Sequence, residues 1–268
     1  MLKARLITAL VLVAGLGSAL FGLTQEGWAW LMAGVTGLAG WEWAGLSGFR
    51  PVSRVAYGLV TALLCLALAQ VLAAALIPVS IVYLPSVAFW LLVVPLLLRQ
   101  RLRSGMASAP VGWLVLLPTF VAATQLRATG PWVLLAVMAM VWVADIAAYF
   151  TGRRFGRRKL APAISPGKTW EGAWGATLAV LIYGFGLAAA GGQLASFSPA
   201  GMAALALLLL LFTAISIEGD LFESLLKRQA NIKDSSQLLP GHGGILDRID
   251  SLTSTLPLAG LMLTFWKT

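Results

Sequence analysis

The sequence predicts an all-α, polytopic integral membrane protein with about nine transmembrane helices and a cytoplasm-facing polar site. Three observations carry that expectation: an apolar surplus, the regular spacing of the apolar runs, and the one-sidedness of the basic residues. Hydrophobic residues fill 59% of the 268 positions and charged residues 11%, and the mean hydropathy is +0.88. A water-soluble domain carries about 25% charged residues, so this chain lacks the charge to clothe its surface in water. A bilayer is the solvent that fits. The net charge of +9 would suggest nucleic acid in a soluble protein, but here the basic residues lie between apolar runs and no nucleic-acid partner is expected. The single cysteine, Cys65, excludes an intramolecular disulfide and a cysteine-based metal site.

A membrane helix needs roughly 20 mostly apolar residues. Nine runs qualify, near 6–24, 27–47, 56–77, 79–98, 111–128, 132–150, 171–190, 201–219 and 252–267. The first follows Lys3 and Arg5 as a secretory signal would, but it lacks a convincing cleavage region and similar runs succeed it, so it reads as a retained span. Gln25-Glu26 separates the first two runs, and Pro51 with Ser53 the next two. Pro78 splits the third from the fourth, as either a broken hairpin or two full spans. Ser104-Gly105, Gly130-Pro131 and Gly191-Gly192 mark further turns. Two longer polar connectors, 153–168 and 220–250, precede the seventh and ninth runs. Trp28, Trp30, Trp41, Trp43, Trp113, Trp132, Trp170 and Trp266 fall near run ends, where an amphipathic ring suits the headgroup level. Glycine and alanine within the runs suit close helix packing.

Cytoplasmic loops retain Lys and Arg. With the N-terminus inside and nine alternating spans, all of the 19 basic residues except Arg127 and Lys267 fall on one side. Eight of the ten acids lie between 145 and 250. The chain therefore divides into a hydrophobic scaffold, 1–130, and a catalytic region, 131–268. With no organelle-targeting extension evident, a bacterial inner membrane is the expected location.

The first polar block holds Asp145, the basic cluster at 153–159, and Ser165-Pro166-Gly167-Lys168-Thr169-Trp170-Glu171-Gly172. Asp145 lies inside a predicted span, where a charge is costly unless it meets a partner or a polar cavity. It reads as a ligand or cation contact, or as half of a structural pair with an arginine. The basic cluster suits anchoring alone or a phosphate-binding surface. Gly167-Lys168-Thr169 resembles the end of a P-loop, but Pro162 occupies the place of the first glycine and no strand is expected before it, so a P-loop is rejected. Lys168 remains a phosphate candidate at a loop that opens a helix.

The second block is richer. Asp220, Glu223 and Lys227 share a helical face, as do Asp247 and Asp250. Pro240, Gly241, Gly243 and Gly244 crowd the loop between them, which suits close approach of backbone to a ligand. Carboxylates suit a hard cation such as magnesium, and the neighbouring bases suit phosphates. A salt-bridged loop pairing the acids with Lys227, Arg228, Lys233 and Arg248 is the bland alternative.

The run Ser224-x-x-Lys227-Arg228-x4-Lys233-Asp234-x-Ser236-x-x-Leu239-Pro240-x-His242-Gly243-Gly244-Ile245-x-Asp247-Arg248-Ile249-Asp250 resembles the signature of the phosphatidate cytidylyltransferase (CDP-diacylglycerol synthase) family. The block Ser165-Pro166-x-Lys168-Thr169-x-Glu171-Gly172 is similar to that family as well. The matching stretches span about 145–252. Asn231 stands where most members are expected to have glycine, and asparagine tolerates the same left-handed backbone. The resemblance implies condensation of phosphatidate with CTP to CDP-diacylglycerol and pyrophosphate, dependent on Mg2+, with a second cation compatible. It points to Asp220 and Asp247 as principal metal ligands, with Asp250, Asp234 and Asp145 as further candidates. Lys227, Arg228, Lys233, Arg248 and Lys168 would meet phosphates, beside Ser165. His242, Gly243 and Gly244 would line the substrate, the loop offering backbone donors. A CTP-dependent kinase of a polyprenol or other lipid alcohol is the enzymatic rival, and a membrane transporter, with charges strung along the midplane, is the rival from another class. Exposed small-residue helix faces are compatible with a homodimer.

Overall fold

The computed structural model describes residues 2–100 and 108–266, with side chains from residue 7 to residue 265. The side chains of Lys3, Arg5, Arg101, Arg103, Trp266 and Lys267, and the turn at Ser104-Gly105, lie outside what is described. Nine helical rods follow one another among the described residues: α1 (Leu2–Gly22), α2 (Gln25–Leu46), α3 (Pro51–Ala73), a fourth rod made of α4 (Ser80–Ala88) and α5 (Val94–Gln100), α6 (Ala109–Thr129), α7 (Pro131–Phe155), α8 (Trp170–Ala190), α9 (Pro199–Gln229) and α10 (Leu246–Trp266). Six of these rods, α3, α4–α5 and α6 to α9, are long and apolar enough to cross a membrane.

Local chemistry sets the rod boundaries. Thr24, Thr169 and Ser198 accept N–H groups at the starts of α2, α8 and α9, satisfying donors that helix geometry orphans. Proline opens α3, α7 and α9, where its missing N–H costs nothing. Inside α4, Pro85 removes one ladder bond, and a π turn at Phe89–Val93 follows before α5 resumes the helix. The ambiguity at Pro78 resolves into two separate rods, 51–73 and 80–100.

Successive rods alternate in direction, and contacts fix which ends meet. Thr8 near the start of α1 donates to the Pro240 carbonyl, Trp43 near the end of α2 donates to the Ser108 carbonyl, and Tyr57 on α3 donates to the Ala109 carbonyl. The two polar connectors therefore share one end of the bundle with the turn after α2 and the segment before α6. At the opposite end Arg127, buried, donates to the Leu20 carbonyl at 3.0 Å, to Gln25 Oε1 at 2.9 Å and to the Leu23 carbonyl. This basic residue holds the α1–α2 turn onto α6 and satisfies orphan carbonyls of α1.

α10 is the central post. Residues 251–261 are buried throughout, packed against α6, α9, α4 and α7. Its small hydroxyl residues permit that crowding, and they bond within the bundle: Ser254 Oγ to the Ile215 and Ser251 carbonyls, Thr255 Oγ1 to the Ser251 carbonyl. A helix whose middle is buried against its neighbours needs less hydropathy than one facing lipid, which explains why α10 is not among the six.

Two expectations are corrected. Trp28 and Trp43 are buried, their ring N–H groups bonded to the Ala123 and Ser108 carbonyls, and Trp113 donates to Thr61 Oγ1. Their rings pack inside the bundle because a partner there satisfies the indole donor; of the tryptophans near run ends, Trp30, Trp132 and Trp170 are exposed. The connector 153–168 also carries strands. α7 continues to Phe155, and β1 (Lys159–Ala161) pairs antiparallel with β2 (Ser165–Thr169) in a small hairpin before α8.

Candidate active site

α9 is 31 residues long, roughly 46 Å at 1.5 Å per residue, against a hydrocarbon core of about 30 Å. Its last turns therefore reach beyond the apolar layer. Asp220, Ser224, Lys227 and Arg228 lie there at three- and four-residue spacing on one face. The first turns of α10 bring Asp247, Arg248 and Asp250. Gly219 lets the two helices close on each other: a Cβ there would stand 2.5 Å from Ser254 Oγ and 2.8 Å from the Asp250 carbonyl. Asp145 on α7 completes the ring.

The result is a polar cavity of about 390 Å³ lined by Asp145, Asp220, Ser224, Lys227, Arg228, Lys233, Asp234, Asp247, Arg248 and Asp250. A second cavity, of about 560 Å³, adjoins it and shares Asp145 and Asp220. Its walls are small residues of α7 and α8, Ala144, Ala148, Gly152, Gly172, Ala173 and Ala176, with Arg153, Lys159, Ser165 and Lys168 supplying polarity. All five candidate metal ligands and four of the five candidate phosphate-binding cations thus line the first cavity. Lys168 and Ser165 line the second, from the β hairpin that the sequence did not disclose.

Charges in the first cavity are only partly matched. Lys168 Nζ stands 2.6 Å from Asp220 Oδ2, and Lys227 Nζ stands 2.6 Å from both Glu223 Oε2 and Asp247 Oδ1. Arg228, Lys233 and Arg248 have no carboxylate within ion-pair distance among the described residues, and neither Asp145 nor Asp234 nor Asp250 has a cation. Arg228 instead donates to the Ile164 carbonyl at 3.3 Å. The salt-bridged loop is thus realised at Lys227 alone.

The loop before α10 is built around two carboxylates. Asp247 Oδ2 accepts from the Ser235 N–H at 2.9 Å, Ser235 Oγ at 2.9 Å and the Gly244 N–H at 2.8 Å. The His242 N–H is engaged by the Leu239 carbonyl. Gly243 adopts φ +79°, which favours glycine, with Asp247 crowding its Cβ position. Asn231 has φ +56°, the left-handed backbone expected for it.

Glu42 is the residue the sequence reading passed over. It is fully buried near the end of α2. Oε1 accepts from Ser236 Oγ at 2.6 Å and the Ile245 N–H at 2.9 Å, and Oε2 accepts from Ser235 Oγ at 3.2 Å and the Leu246 N–H at 2.7 Å. A lone acid in an apolar run was its only signal, one that marks an intramembrane charge needing a partner.

The donor set suits a hard divalent cation. Asp145, Asp220 and Asp250 line one cavity and sense one another's charge, with Lys168 the cation felt by both Asp145 and Asp250. Among the described residues no three His, Cys, Asp or Glu side chains converge into a closed cage. Magnesium does not need one, because it is usually held by one or two carboxylates, with waters and substrate phosphates completing its shell.

Comparison with known proteins gives the family. The model of the cytidylyltransferase family matches residues 3–266. The phosphatidate cytidylyltransferase of Pseudomonas aeruginosa PAO1 is 41% identical over 278 residues, covering 98% of this chain and 97% of that protein. The phosphatidate cytidylyltransferase of Haemophilus influenzae is 34% identical over 279 residues, covering 96% of each. The Thermotoga maritima enzyme of the same name is 41% identical over 125 residues, covering 47% of this chain and 46% of that protein.

Proposed function

The chain belongs to the cytidylyltransferase family, and from that premise we propose that it condenses phosphatidate with CTP to give CDP-diacylglycerol and pyrophosphate. The observation that carries this reading is a cavity lined by both acids and bases that largely do not pair with each other. Such a cavity leaves cations to meet phosphates and carboxylates to meet a metal.

The chemistry asks little of a general base. A phosphate oxygen of phosphatidate, already anionic near neutral pH, attacks the α-phosphorus of CTP; the bond to the bridging oxygen of the β-phosphate breaks and pyrophosphate leaves. Catalysis then rests on positioning and charge neutralisation. Arg228, Lys233, Arg248 and Lys227 hold the triphosphate in the polar cavity. The small-residue cavity between α7 and α8 takes the lipid, its phosphate meeting Lys168 beside Ser165. Asp220, which lines both cavities, and Asp247 would be the principal ligands for Mg2+, each now paired with a lysine, Lys168 or Lys227, that the substrate phosphates would draw off. Asp145, Asp234 and Asp250, without a cation partner among the described residues, would surround them. Magnesium would supply neutralisation of the phosphate charge as pyrophosphate departs. Residues 131–268 form the catalytic region and 1–130 its scaffold. The N-terminus and the site face the cytoplasm, where CTP is found, in a bacterial inner membrane. Exposed small-residue helix faces allow a homodimer.

The test is product formation by detergent-purified protein given phosphatidate, CTP and magnesium. CDP-lipid with equimolar pyrophosphate is expected, lost with a chelator and in Asp247→Asn. Folded protein that makes neither, yet releases CDP with a polyprenol, would refute the proposal in favour of the lipid-alcohol kinase.

A further inference from the structure

The polar cavity owes part of its shape to a residue of the N-terminal half. We infer that Glu42 is a positioning residue for the nucleotide, acting through Ser235, Asp247 and Lys227. This rests on the reading that the polar cavity holds the CTP triphosphate.

The chain of contacts is continuous. Glu42 Oε2 accepts from Ser235 Oγ and the Leu246 N–H, and Oε1 accepts from Ser236 Oγ and the Ile245 N–H. Ser235 gives its N–H to Asp247 Oδ2 at 2.9 Å, and its single hydroxyl proton is shared between Asp247 Oδ2 at 2.9 Å and Glu42 Oε2 at 3.2 Å, so the hydroxyl bridges the two carboxylates. The other oxygen of Asp247 holds Lys227 Nζ at 2.6 Å, and Lys227 lines the cavity. Two of the four donors to Glu42 are N–H groups at the start of α10, which no turn of that helix could satisfy. One buried carboxylate therefore fixes both the entry of α10, which carries Asp247, Arg248 and Asp250, and the serine that orients Asp247. Gly244 confirms how tightly the parts fit, since a Cβ there would collide with Ser235 Oγ and Glu42 Oε1. Four donors satisfy this one buried carboxylate, and they come from residues some 190 to 200 positions away, so they tie α2 to the serine that meets Asp247 and to the entry of α10. They make the α2 helix a datum for the position of the cavity's cations.

Glu42→Gln separates this role from folding. The amide keeps the size and one acceptor oxygen, but turns an NH2 toward one backbone N–H, so the entry of α10 loses one bond while the bundle keeps its packing. Ser235→Ala breaks the same chain one link further on. Thr129→Ala removes an exposed hydroxyl bond to the Gln125 carbonyl at the far end of the bundle, and serves as the control.

The experiment measures KM for CTP, KM for phosphatidate and equilibrium CTP binding for full-length wild type and the three variants. Losing one hydrogen bond to a charged group corresponds to about a tenfold change. KM and Kd for CTP are expected to rise by about that factor in Glu42→Gln and in Ser235→Ala, and the double variant should be no worse than the single ones. KM for phosphatidate should hold, and Thr129→Ala should match wild type. A role confined to folding would lower the active fraction and move neither KM. Should Glu42→Gln fail to accumulate, Ser235→Ala carries the same expectation. Wild type that binds CTP alongside Glu42→Gln and Ser235→Ala variants with unchanged CTP constants would overturn the inference alone. Wild type that binds no CTP would overturn the nucleotide reading and the positioning role with it.

Discussion

Gly219→Ala tests the crossing of α9 and α10 on which the site depends. The added Cβ would lie 2.5 Å from Ser254 Oγ and 2.8 Å from the Asp250 carbonyl, where ordinary contact begins at 3.4 Å. The helices must part by about 1 Å, because a close-packed interior has no slack to absorb the methyl group. Two effects on stability then oppose each other. Alanine gains about 1 kcal/mol over glycine in a helix, and overpacking costs about 1–3 kcal/mol, so the net change is a loss of at most about 2 kcal/mol. Activity has no such offset. Asp220 follows directly on the moved residue and Asp250 sits on the opposing helix, and a 1 Å misplacement costs on the order of 100-fold in rate. Initial rates of CDP-lipid formation, with thermal melting in detergent, measure both quantities. Gly186→Ala, inside α8 with nothing within 4 Å of the new Cβ, is the control and should keep the rate while the melting point rises slightly with the helix preference of alanine. Wild-type turnover in Gly219→Ala would refute the idea that the α9–α10 spacing sets the site.

Other perturbations separate chemistry from scaffold. Arg248→Gln removes a cavity cation that has no carboxylate partner among the described residues, and KM for CTP should rise about 10- to 100-fold, the range for a charge-assisted hydrogen bond; an unchanged KM would contradict phosphate binding by Arg248. Arg127→Met should do the reverse, because it strips three hydrogen bonds from the far end of the bundle: denaturation should show a loss of about 3 kcal/mol or more with both KM values kept. Trp28→Ala should cost about 3–5 kcal/mol by leaving a cavity, whereas Trp30→Ala, at a ring 60% exposed, should barely change the same denaturation curve in detergent.

Much of the fold was legible because hydropathy and punctuation are local signals. Nine apolar runs correspond to nine rods among the described residues, six of them long and apolar enough to cross a membrane, with turns at Gln25, Pro51, Pro131 and Gly191 where side-chain chemistry puts them. The residues of the polar cavity were legible for a related reason: acids and bases are scarce in this chain, so those gathered between 145 and 250 stood out. What failed to show depends on partners far along the chain. Glu42 looks like an isolated acid until Ser235 and Ile245 are brought to it. Trp28 and Trp43 have the same amphipathic ring whether the indole N–H meets a headgroup or a buried carbonyl. The β hairpin is three and five residues long, and its second strand contains Pro166 and Gly167, residue types depleted in strands. The central place of α10 was hidden because its hydroxyl residues lower the hydropathy of a helix buried from 251 to 261.

Nucleotidyl transfer at the shared edge of the two cavities is decided by where a phosphorus label ends up. Purified protein would receive phosphatidate, magnesium and CTP labelled in separate reactions at the α- or the γ-phosphorus. Attack at the α-phosphorus should carry the α-label into the lipid and leave the γ-label in pyrophosphate. A lipid that acquires the γ-label, with the α-label retained in CDP, would contradict the account.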